Sequence, residues 1–142
     1  MAKAAVGSLV MLASIACSPG VPAEVPKLPQ PGVVSTLPVN ATSIAGGDFD
    51  GDNLEDLVVA GNIPGKGGVF SAVYVLWNNG SGYNDPKLIS QVPVGDPRVY
   101  VADVNGDRRP DVVVVGTVAG SGGSKSNVYV IKNMGNARFA LE

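Results

Sequence analysis

From residue 43 onward the chain is a succession of short apolar runs cut by clusters of Gly, Asn and Asp. The runs at 43–47, 57–61, 69–77 and 87–92 are bounded by turn formers and hold most of the local Val, Ile and Tyr, so they predict four short strands. Strands joined by such short connections suit an antiparallel up-and-down sheet. A second set follows at 99–102, 112–115, 127–132 and 139–142, its last strand barely begun. Val112, Val113, Val114 and Val115 follow one another with no polar alternation, which predicts a strand covered on both faces.

The two sets are copies in register. Asp48 recurs as Asp103, 55 residues on. At the same offset Gly61 falls on Gly116, Gly65 on Gly120, Asn78 on Asn133 and Gly80 on Gly135, and Val73, Tyr74 and Val75 fall on Val128, Tyr129 and Val130. No gap is needed, and a fixed period marks a repeated supersecondary unit. One such sheet cannot bury both of its faces, so neighbours must stack, radially as propeller blades or linearly as a solenoid.

Composition narrows the function classes. Hydrophobic residues make up 45% of the chain and charged ones 15%, which fits a packed β-rich domain and not a disordered one. A net charge of −2 gives no electrostatic footprint for nucleic acid or an anionic membrane. Histidine is absent, which removes Ser-His-Asp and Cys-His catalysis and the usual imidazole ligands of zinc or iron.

The first residues form a different region. Lys3 precedes an apolar stretch over 4–16, too short to span a bilayer, and Cys17 follows. With small residues at Ser14 and Ala16 this reads as a signal peptide over 1–16. It resembles a bacterial lipoprotein signal, in which the cysteine after the cut carries the lipid, although Ser14 stands where that pattern has Leu. Ordinary secretion is the competing reading. Either implies a secreted or cell-envelope location, with Cys17 as the candidate lipidation site. Residues 17–41 are rich in proline, which fixes φ and removes a donor, so this segment is expected to be an extended linker or stalk.

The chemistry lies in two acidic loops. Asp48, Asp50, Asp52 and Asp56 occupy relative positions 1, 3, 5 and 9 of the first, with the Leu54 carbonyl available at position 7. The second offers Asp103, Asn105, Asp107 and Asp111 with the Arg109 carbonyl. Carboxylates so concentrated repel one another unless a cation sits among them, and flexible all-oxygen sets suit Ca²⁺. An EF-hand needs Gly at position 6 and Glu at position 12, where these loops have Asn53 or Arg108 and Val59 or Val114. The β-branched residues after each loop disfavour a helix, so each loop is expected to join two strands. Asn105 removes a charge and Arg108 and Arg109 add positive charge, which predicts weaker binding at the second loop. Without a cation, both loops would simply be acidic β-turns.

These two loops, with the strand Val73, Tyr74, Val75, Leu76 and Trp77 and the Asn-Gly turn after it, resemble the FG-GAP and VCBS repeat family, the calcium-loop propeller repeats of integrin α-subunit type. The likeness covers about residues 42–139. It implies an all-β chain of two stacked four-stranded antiparallel blades of a β-propeller, blade 1 over 42–96 and an incomplete blade 2 over 97–142, as a fragment of a larger propeller. It also implies calcium held structurally in the loops and a role in extracellular adhesion or accessory binding.

The function expected on these grounds is an extracytoplasmic, surface-anchored binding, adhesion or scaffold module that is not an enzyme. Its partners would be a protein or glycan ligand and further blades or copies of itself. The alternative is the propeller module of a polysaccharide-acting hydrolase or lyase. Its spare carboxylates, Glu24, Glu55, Asp85 and Asp96, form no acid-base pair by spacing. Trp77 and Tyr83 could stack on sugar, though a Trp at a strand end more often packs.

Overall fold

The structure is a computed structural model that describes residues 32–65, 70–120 and 122–142. The stretch read as a signal peptide over 1–16, the candidate lipidation site Cys17, the stretch read as linker up to residue 31 and part of the glycine-rich connection after Pro64 lie outside the described residues.

Eight strands and no helix occur among the described residues. They are β1 (Asn40–Gly47), β2 (Asp56–Asn62), β3 (Ser71–Leu76), β4 (Lys87–Val92), β5 (Gly95–Ala102), β6 (Asp111–Gly120), β7 (Gly123–Asn133) and β8 (Phe139–Leu141). Strands β1 to β4 pair in order as one antiparallel sheet and β5 to β8 as another, each an up-and-down meander. The architecture is therefore all-β, as two four-stranded sheets consistent with adjacent propeller blades. β1 begins at Asn40, inside the stretch read as linker, and β8 has three residues.

The two hairpins that follow the acidic loops differ in length for a chemical reason. β6 and β7 stay paired from Val112 and Ile131 out to Gly120 and Gly123. In blade 1 the β2–β3 ladder ends at Asn62 and Ser71, with one further bond from Ile63 N–H to the Phe70 carbonyl. Pro64 stands there at the position of Ala119, and a residue without an N–H cannot extend a ladder.

The sheets stack on a valine-rich core. Val58, Ala60, Val73 and Val75 form the front of blade 1. They meet the back of blade 2, where Val99, Val112, Val114 and Ile131 are buried. Full burial of a side chain of this kind contributes about 1.5–3 kcal/mol. Phe49 from the first acidic loop closes one end, edge-on to Phe139 with ring centroids 5.9 Å apart. At the other, Ser71 Oγ donates to the Val94 carbonyl at 2.6 Å. Asn62 and Asp96 exchange two hydrogen bonds there, of 2.9 and 3.2 Å. The stack places both acidic loops at the same end, each between the first and second strands of its sheet.

Candidate metal centre

Each loop is wound around its first aspartate. Asp48 Oδ1 accepts from Gly51 N–H at 2.7 Å and Oδ2 from Asn53 N–H at 3.0 Å. Asp103 repeats this with Gly106 N–H at 2.7 Å and Arg108 N–H at 2.8 Å. The curl requires left-handed backbone twice per loop, at Gly51 (φ 88°) and Asn53 (φ 67°), and at Gly106 (φ 78°) and Arg108 (φ 67°). Glycine adopts this conformation freely and asparagine with tolerance, whereas arginine is strained in it.

The ninth position is the anchor. Asp56 is fully buried. Its Oδ2 accepts from Phe49 N–H at 2.9 Å and its Oδ1 from Asn78 N–H at 2.8 Å, tying the loop to the end of β3. Asp111 is equally buried and accepts from Val104 N–H at 3.1 Å and Asn133 N–H at 2.8 Å. Burial pushes the Asp56 carboxyl above the ordinary carboxylate range, against the pull of its two backbone bonds, and Asp50 and Asp52 add to the rise.

In the first loop the structure brings together Asp48, Asp50 and Asp56, each with a carboxylate oxygen within 4.8 Å of the others. Oxygens that share one calcium at about 2.4 Å lie no farther apart than about twice that distance. The donors are all oxygen, without nitrogen or sulfur, so the set fits a hard divalent cation. Asp52 stands outside this trio, with its Oδ1 capping Leu54 N–H at 2.8 Å, which holds the Leu54 peptide on the same turn.

The second loop shares the backbone but not the convergence. Asp103, Asp107 and Asp111 form no comparable trio. Asn105 takes the third position, its Oδ1 accepting from Asp107 N–H at 2.9 Å and its Nδ2 donating to Asp107 Oδ2 at 3.0 Å. Arg109 lays its guanidinium on the same Asp107 oxygen at 2.5 Å and donates from Nε to the Asn133 carbonyl at 3.0 Å. Asp107 is held below the ordinary carboxylate range, first by the Arg109 N–H and then by Asn105 and the Arg109 charge. An internal cation thus engages a carboxylate oxygen that the sequence reading assigned to an external one.

Sequence reasoning missed Asn78 and Asn133 as parts of the loop architecture. Both cap the turn that follows them, through Gly80 N–H and Gly135 N–H at 2.9 Å each, and both donate their own N–H to the buried aspartate. Their recurrence at the common offset was the available signal. Trp77 is half-buried against the core, and Lys87 Nζ lies 5.5 Å from its ring centroid, so one face of that ring is already taken.

Residues 48–114 match the family model of the FG-GAP-like repeat. The matched stretch opens on Asp48, contains both acidic loops and closes inside β6. It supports FG-GAP kinship for the repeat and a propeller-type module for the two sheets. No curated protein and no solved structure matches the chain.

Proposed function

We propose that the chain is an extracytoplasmic, calcium-binding propeller module that acts as a surface-anchored binding, adhesion or scaffold part and not as a catalyst. The observation that carries this reading is the convergence of Asp48, Asp50 and Asp56 at the tip of the β1–β2 hairpin, in a stretch matching the FG-GAP-like repeat. FG-GAP repeats generally bind calcium. In the first loop the cation would be held by Asp48, Asp50, Asp52, the Leu54 carbonyl and Asp56. In the second it would be held by Asp103, Asn105, Asp107, the Arg109 carbonyl and Asp111, once Asp107 is released from Arg109.

A bound divalent ion supplies charge neutralisation to a loop whose acids otherwise repel. Asp56 already joins the loop to Asn78 at the end of β3, so a cation on Asp56 would brace hairpin tip and sheet together. Extracellular sites with dissociation constants of about 10⁻⁴ to 10⁻³ M, in millimolar calcium, would each add about 0.4 to 1.4 kcal/mol. That magnitude suits a structural brace better than a switch. The signal-like leader and Pro-rich stalk support display outside the cytoplasm, where calcium is plentiful. Thermal melts in millimolar calcium and in excess chelator test the reading: the melting temperature should fall on chelation, and identical melts would reject it.

A further inference from the structure

We propose that the cleft between the two acidic loops takes a carboxylate from a side chain of a partner peptide, held by Arg108 together with the cation of the first loop. The inference rests on the calcium reading and names the chemistry of the ligand at that end of the module. The cleft has a volume of about 190 Å³ and is lined in part by Asp48, Asp50 and Gly51 of the first loop and by Arg108, Arg109 and Asn133. Here the Asn133 side-chain amide already joins the blades through the Phe49 carbonyl. The cleft therefore belongs to the finished contact between the blades and not to an open sheet face.

The arginines are departures from the repeat. At the 55-residue offset Arg108 stands on Asn53 and Arg109 on Leu54. Arg109 is already engaged, by Asp107 and by the Asn133 carbonyl. Arg108 is exposed, and among the described residues its guanidinium makes no hydrogen bond or ion pair; only its main-chain N–H is used, on Asp103. The second loop thus carries, in a left-handed conformation that suits asparagine better, a residue whose charge is left over beside the first loop. A planar guanidinium presents a fork of donors that matches a carboxylate.

The first loop supplies the other half. Asp48 and Asp50 belong to the converging trio and also line the cleft, so a cation among their oxygens borders it. The groups assigned to that cation, Asp48, Asp50, Asp52, the Leu54 carbonyl and Asp56, leave about one to three of the roughly six to eight oxygen positions that calcium fills. An oxygen from outside the chain can complete the set. In the calcium-free chain Asp48 and Asp50 repel an anion; a divalent ion balances those charges and leaves that of Arg108 lining the cleft. Carboxylate binding is therefore coupled to calcium binding, and the coupling is reciprocal.

Size and lining select the occupant. Pockets for whole small molecules run to about 300–1,000 Å³. A cleft of about 190 Å³ suits a single acidic side chain on a flexible stem. Phe49, the aromatic residue of the lining, is 2% exposed and offers no ring on which a sugar could stack. A peptide carboxylate is favoured over that of an acidic glycan.

Amide NMR on the isotope-labelled full chain tests it. Calcium alone should shift Gly51 and Asn53. A Gly-Glu-Gly peptide with blocked termini should then shift Gly51, Arg108 and Gly135, whereas its Gly-Gln-Gly counterpart should not, and chelator should abolish the effect. Arg108→Asn, which gives the second loop the residue that the first has at this position, should weaken the Glu peptide about tenfold. Should that variant lose its dispersed spectrum, Arg108→Gly carries the same test. Calcium shifts without peptide shifts overturn this proposal and leave the calcium reading standing, while absent calcium shifts remove both. Peptide binding that persists in chelator, that is equal for the Gln peptide or for the Arg108 variant, or that is weaker than binding of glucuronate, overturns it as well.

Discussion

The side-chain amide of Asn133 donates to the main-chain carbonyl of Phe49 at 2.8 Å, a buried bond between residues 84 apart in sequence that ties the second blade to the acidic loop of the first. The same residue accepts from Gly135 N–H and passes its own N–H to Asp111. Asn133→Ala strips a partner from a carbonyl inside the stack, so it should destabilise the protein by about 1–3 kcal/mol. Asn78→Ala removes only exposed bonds, to the Glu55 carbonyl and from Gly80 N–H, and should cost less. Urea midpoints of the two variants, compared with wild type, check the order.

Arg108 holds left-handed backbone at φ 67°, as Asn53 does in the first loop. Left-handed conformation costs an ordinary residue about 1–2 kcal/mol, and Asn and Gly less. Arg108→Gly should therefore raise the thermal midpoint in calcium-free buffer, while Asn53→Arg should lower it. Paired melts of the two variants decide the matter, and a destabilised Arg108→Gly would contradict the strain account.

The two loops should differ in affinity. The first converges three carboxylates, whereas the second has Asn105 in place of one and Arg109 on Asp107. Calorimetric titration of Asp103→Ala, which isolates the first site, should give tighter binding than that of Asp48→Ala, which isolates the second. Arg109→Ala should tighten the second site by freeing Asp107. An unchanged second site would show that the guanidinium does not compete.

Calcium stabilisation should also depend on pH with a definite sign. Burial raises the Asp56 pKa, so between its unfolded and folded values the native state binds more protons than the unfolded chain. In calcium-free protein this contribution to stability is present at low pH and is lost as pH rises through the raised value. Calcium binds the ionised form and offsets the loss. The gain in melting temperature on adding calcium should therefore be small near pH 4 and grow toward neutrality; a gain that shrinks as pH rises would contradict the assignment of Asp56.

Much of this architecture is legible in local sequence because the repeat keeps its register. The turn glycines, the acids and the β-branched runs place the strand pairs and both loops within a few residues. The length of β6 and β7 was harder to read, because Gly116, Gly120 and Gly123 look like breakers. The ladder nevertheless runs through Gly116 to the Gly120–Gly123 pair, with no proline in its path. The fate of Asp56 and Asp111 was likewise hidden. Spacing marks them as ligands, yet their burial and their bonds to Asn78 and Asn133 depend on β3 and β7 reaching the loops from elsewhere in the chain. The Arg109 bond to Asp107 shows the same limit: sequence gave the charge nearby, and only geometry placed it on a ligand oxygen.

The central claim is that the tip of the β1–β2 hairpin holds calcium. Anomalous diffraction from crystals grown in millimolar calcium tests it most directly. The account predicts a strong peak among the carboxylates of Asp48, Asp50 and Asp56 and a weaker one in the second loop. No peak at the first loop, with the aspartates ordered, would contradict it.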